Sequence, residues 1–135
     1  MKNRSELREI IMKVLYQVFI YENTNLSYDI SELIKEQMNI ENEYVSTMIE
    51  GVLKEREKLY QFANQYLVDW KIERLNKVDQ VILCIGIYEL LYTETPAIVA
   101  INEAVELSKK YSEEKVTKMM NGVLDNIYHS EDYHE

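Results

Sequence analysis

The chain has 135 residues and a formal net charge of −9, with three glycines, one proline and one cysteine. That length fits a single domain whose core needs neither disulfides nor a metal. So few turn-forming residues exclude an all-β protein, and the acidic balance excludes one that grips nucleic acid through bulk charge alone. The expected fold class is all-α.

The first helix is announced by Asn3 with Glu6 three residues on, a capping-box pattern. Leu7, Ile10, Ile11, Val14, Leu15, Val18 and Phe19 then recur on one stripe, and Arg4, Arg8 and Lys13 fall away from it, as on an ordinary solvated face. The first twenty residues are locally basic, with Lys2, Arg4, Arg8 and Lys13 against Glu6 and Glu9, so a nucleic-acid contact has to be local. Ser27 and Asp29 open a short second helix that uses Leu26, Ile30, Leu33, Ile34 and Met38 and ends near Asn39. Asn42 caps a long third helix on the stripe Val45, Met48, Ile49, Val52, Leu59, Phe62 or Ala63, Tyr66 and Leu67, with Gly51 marking tight packing.

Residues from Trp70 to Leu75 form a turn or a single helical turn, after which Asn76 and Asp79 cap the central helix. That helix is apolar nearly all round, from Val78 through Val81, Ile82, Leu83, Cys84, Ile85, Ile87, Leu90 and Leu91, and so belongs in the middle of a bundle. Gly86 within it implies close approach of another helix or a large ring. Cys84 is expected to be a buried reduced thiol. Glu89 breaks the longest apolar run well short of the ~18–20 residues of a membrane span, and the charged first ten residues do not read as a signal peptide, so the protein is expected to be cytoplasmic. Thr95 and Pro96 read as N-cap and first residue of the next helix. The last helix runs from about Glu114 to Tyr128 on Val116, Met119, Met120, Val123, Leu124 and Ile127, followed by a polar, frayed tail.

No constellation for catalysis stands out. His129 and His134 lie in the acidic tail, Glu103 and Glu106 lack the His partners of a di-metal bundle site, and there is no phosphate loop, Cys-x-x-Cys or nucleophile with a base. No cofactor is expected. Two segments are more specific than packing requires, Val99 to Leu107 and Met120 to Asp125. Their Asn102 and Asn121 either knit helices together by internal hydrogen bonds, the better reading, or present an amide to a ligand.

Taken together, Val14-Leu-Tyr-Gln17, Glu73-Arg-Leu75 with Val78-Asp79, Ile87-Tyr-Glu-Leu90, Pro96 followed by Val99-Ala-Ile-Asn-Glu-Ala104, and Asn121-Gly-Val-Leu-Asp125 closely resemble the NusB family of bacterial transcription antitermination factors. The resemblance covers essentially the whole chain. It implies about seven helices in two helical bundles packed across each other. The bundles divide into an amino-terminal one to about residue 75, a carboxy-terminal one over 76–128, and a polar tail over 129–135. It also implies no enzymatic activity. The implied task is to pair with NusE, a small-subunit ribosomal protein, and to bind the single-stranded boxA element of ribosomal RNA leaders, so that RNA polymerase reads through terminators.

Carried across by motif, the family's arginine-rich RNA-binding segment falls on Arg4 and Arg8, with Tyr16 on the following turns, and its second RNA-facing element on Lys118 and Met119. The partner-binding surface falls on Glu73, Arg74 and Asp79, with Tyr16 at its border. Ser5 and Glu6 stand where the family commonly has basic residues, Cys84 where it has an arginine, and Met119 where it has an aromatic, so phosphate contacts and a stacking platform are reduced. A protein-only adaptor or homodimer that has kept the fold without RNA is the alternative. An accessory module of an RNA methyltransferase is a remote third reading, for which the chain has no catalytic domain.

Overall fold

The computed structural model describes residues 2–134, and among them every regular element is helical. In chain order these are α1 (Arg4–Asn23), α2 (Ile30–Gln37), α3 (Glu43–Tyr66), a 3₁₀ turn (Ile72–Arg74), α4 (Lys77–Tyr92), α5 (Ala97–Tyr111) and α6 (Glu114–Tyr128). The caps explain most of these boundaries. Asn3 and Glu6 form the reciprocal capping box, and the Asn42 and Asn76 side chains accept from Val45 N–H and Asp79 N–H, each satisfying a donor the helix itself leaves unpaired.

Two starts differ from expectation. α2 is capped by Asp29 alone, which accepts from Ser31 N–H, so Ser27 and the exposed Leu26 lie outside it, and the helix stops at Gln37 where Met38 turns extended. α5 begins one residue late, at Ala97, because the Thr95 hydroxyl is diverted to the Glu89 carboxylate and Pro96 supplies only its carbonyl, to Ala100 N–H. The tail also differs. Tyr66 donates to Asp132 at 2.7 Å, and Tyr133 packs edge-on against Tyr128 with ring centroids 4.9 Å apart, so residues after α6 fold back instead of fraying.

α1, α2 and α3 pack together, α5 and α6 pack on α4, and α4 also lies against α1 and α3, so it joins both groups. This is why its whole circumference is apolar: Val81 through Ile87 are buried without exception. Its Gly86 admits α5 and α6, since a Cβ there would lie 3.0 Å from both Ala104 Cβ and Leu124 Cδ1. Gly51 of α3 is occupied instead by the Tyr88 ring, so the close approach that both glycines implied is made once by helices and once by a ring. Cys84 is fully buried. Among the described residues no helix is long and apolar enough to cross a membrane.

Candidate nucleic-acid and partner interface

A carboxylate in an otherwise apolar helix must find a cation, and this requirement organises the first two turns of α1. Glu89 is 1% exposed and Arg8 5% exposed. Arg8 donates from Nε to Glu89 Oε1 at 2.8 Å and from Nη2 to Oε2 at 2.6 Å, a two-pronged pair across four-helix packing. Its Nη1 reaches Glu103 Oε1 at 3.0 Å, an oxygen that also accepts from Ser5 Oγ at 2.6 Å. The Tyr44 and Thr95 hydroxyls complete Glu89, donating to Oε2 at 3.0 and 2.9 Å. Burial by itself would push the Glu89 carboxyl up, but the Arg8 guanidinium, helped by both hydroxyls, overrides it and holds the group below the usual carboxylate range.

Arg8 therefore departs from the solvated face on which the stripe placed it. With three of its nitrogens facing carboxylates it ties α1 to α4 and α5, and it is not displayed towards a phosphate. Arg4, one turn earlier, remains exposed, with Cζ 3.7 Å from the Tyr44 ring centroid. The signal that could have found this cluster was Glu89 itself, since a lone carboxylate on an all-round apolar helix demands a buried basic partner.

The residues matched to the partner and second RNA-facing elements partly converge. Arg74, Asp79 and Met119 line one groove of about 400 Å³, with Val68, Trp70 and Lys115. The 3₁₀ turn and the start of α4 form one wall, and the first turns of α6 the other. Val68 and Trp70, 75% and 48% exposed, are large apolar groups without cover, and sequence reasoning had passed over both. Asp79, assigned to an outward partner-facing surface, is instead 3% exposed at the floor of this groove, where it accepts a hydrogen bond from the Ser112 hydroxyl. Burial raises its pKa, the Ser112 hydrogen bond opposes that, and Glu113 adds to it. Glu73 and Arg74 are exposed, and Glu73 accepts from Asn64 at 3.0 Å. Lys118 is exposed beside Glu114 at 3.6 Å, a surface pair of little energetic weight. Tyr16, 40% exposed on α1, is not among the residues that line the groove, and neither are Arg4 and Arg8.

Asn102 and Asn121 do not knit helices. Both are exposed, and Gly122 beside Asn121 has nothing within 4 Å of where a Cβ would stand, so the specificity of these segments lies on the surface. Glu103 is taken by Arg8 and Glu106 by Lys109, and no group of three or more metal-ligating side chains is present among the described residues.

An all-α fold with an exposed arginine at its amino terminus, an apolar-aromatic groove and exposed motif residues has the surfaces of a binding protein. Residues 5–129 match the model of the NusB family. The transcription antitermination protein NusB of Lactococcus lactis subsp. lactis is 41% identical over 137 residues, covering 91% of this chain and 69% of the relative. That of Clostridium perfringens strain SM101 is 38% identical over 130 residues, covering 93% and 96%. Among solved structures, T. maritima NusB superposes with a TM-score of 0.82 at 28% identity, over 96% of this chain and 94% of that one. The antitermination factors NusB and NusE in complex with dsRNA give a TM-score of 0.75 at 27% identity, over 93% and 96%. The chain belongs to the NusB family, a family of transcription antitermination factors and not of enzymes.

Proposed function

We propose that this protein acts as an antitermination factor by pairing with NusE and binding boxA-type single-stranded RNA of ribosomal RNA leaders, in the cytoplasm, so that RNA polymerase reads through terminators. The observation that carries the reading is the likeness, over 93% of the chain, to a NusB structure solved with NusE and dsRNA. The surfaces are consistent with a division of labour. The Trp70–Met119 groove, lined also by Arg74, Glu113 and Lys115, offers apolar anchors with a charged rim, the anatomy of a protein interface. Arg4 and Lys118 offer exposed cations for RNA phosphates, while the net charge of −9 leaves RNA affinity dependent on a basic partner that adds adjacent contacts.

The protein-only adaptor or homodimer gains support from one observation: Arg8, half of the expected arginine pair, is engaged with Glu89 and Glu103. The discriminating experiment is transcription in vitro through a terminator placed downstream of a boxA leader, with the other antitermination factors present. The proposal predicts that adding this protein with NusE raises read-through and that mutating boxA abolishes the gain. Equal read-through on intact and mutated boxA would transfer the case to the adaptor.

A further inference from the structure

A second groove, of about 520 Å³, opens between the first residue of α1, the first turns of α3 and the last turn of α4. Tyr88 and Tyr92 stack along its wall with ring centroids 5.2 Å apart and planes 8° from parallel. Tyr88 is pegged in place by Gly51, where no Cβ could stand beside its ring, and Tyr92 lies on it with 38% of its surface open. On the same groove Arg4 sits over Tyr44, whose hydroxyl is fixed by Glu89. The chain thus holds an aromatic face rigidly next to an exposed guanidinium, the combination that takes single-stranded nucleic acid by stacking a base and pairing the adjoining phosphate.

We infer that this groove is a base-stacking subsite of the RNA track, holding one unpaired base against the open face of Tyr92 while Arg4 meets its flanking phosphate. The inference rests on the RNA-binding reading above. Two further groove residues, Glu43 and Glu94, are acidic and repel phosphates, so the backbone runs on the Arg4 side and only the base enters. Carboxylates there accept hydrogen bonds from an exocyclic amine, which favours cytosine, adenine or guanine over uracil in the subsite. A protein occupant is the weaker fit, because the Tyr44 ring face is already covered by Arg4 and the large uncovered apolar groups Val68 and Trp70 line the other groove.

The test uses the full chain with NusE and a boxA-type single strand carrying 2-aminopurine at successive positions, since stacking on a ring quenches that base. Tyr92→Ala should weaken RNA binding roughly 5- to 100-fold without changing the slope of log affinity against log salt, and should abolish quenching at one position. Tyr92→Phe should restore both, and Arg4→Ala should lower the salt slope by about 0.7. If Tyr92→Ala binds RNA like the wild type while Arg4→Ala still lowers the slope, the subsite is overturned and the RNA reading stands. If Tyr92→Ala weakens binding of NusE instead, the groove is a protein contact and the inference fails. If the wild-type complex binds no RNA, both fail together.

Discussion

Replacing Arg8 by Ala separates the interior role of this residue from a role at the RNA surface. The change leaves Glu89, 1% exposed, without its two-pronged partner, and breaking a buried ion pair in this way costs about 3–5 kcal/mol. For a chain of this length that is a fall in Tm of roughly 10–20 °C. The pH dependence is a sharper signature. Glu89 in the wild type has a folded pKa below its ordinary value, so its contribution is fully present above the unfolded carboxylate pKa and is lost as pH falls through the folded one. In Arg8→Ala only burial acts strongly on Glu89, its folded pKa rises instead, and the variant regains relative stability as the solution is acidified. The double variant Arg8→Met with Glu89→Leu removes both charges and should recover to within about 2 kcal/mol of wild type, the remainder coming from the Tyr44 and Thr95 hydroxyls left without an acceptor. Urea denaturation of the wild type and the two variants from about pH 2 to 7, a range that extends below the ordinary carboxylate pKa towards the lowered one of Glu89, makes the comparison. A loss under about 1 kcal/mol for Arg8→Ala at neutral pH, together with a lowered salt slope in RNA binding, would refute the buried pair and return Arg8 to the solvated face.

Cys84 is fully buried and its thiol is pushed up to about 12 by that burial, so thiol reagents should label it only at the rate of global unfolding, and fast labelling of the native protein would contradict its placement. The glycines should respond with opposite signs: Gly122→Ala, in open space on α6, should stabilise by up to about 1 kcal/mol in urea denaturation. Gly51→Ala, against the Tyr88 ring, should destabilise by about 1–3 kcal/mol. Glu73→Lys should weaken NusE binding in calorimetry by like-charge repulsion against a basic partner while leaving Tm nearly unchanged, because Glu73 is exposed; Asp79→Lys is the poorer probe, since its burial makes loss of fold the first effect.

The helices were legible where the signals are local. The Asn3, Asn42 and Asn76 caps, the 3.6-residue stripes and the all-round apolarity of α4 all act within a few residues, and each reappears in the structure. The site was less legible because its contacts are not local. Arg8 and Glu89 are 81 residues apart and meet only once α1 lies on α4, and the same meeting diverts Thr95 from capping α5. Amphipathic spacing set Arg8 on the polar side of α1, but it could not register that this side faces α4 and α5 near the first turn. Trp70 lies in a segment that reads only as a turn, and Met119, which the family resemblance points to, lies in the first turns of a distant helix; the two form a groove only when packed. Asn102 and Asn121 were misplaced for the converse reason: their neighbours are apolar, yet 3.6-residue geometry turns these two positions outward.

The most direct measurement is a polarisation titration of boxA-type RNA with this protein alone, with NusE alone and with the equimolar pair, repeated across a salt series. The account predicts weak binding by either protein alone, and tighter binding by the pair whose salt dependence declines when Arg4 is replaced by Ala. Binding by the pair that is no tighter than that of NusE alone, and unaffected by Arg4→Ala, would contradict it.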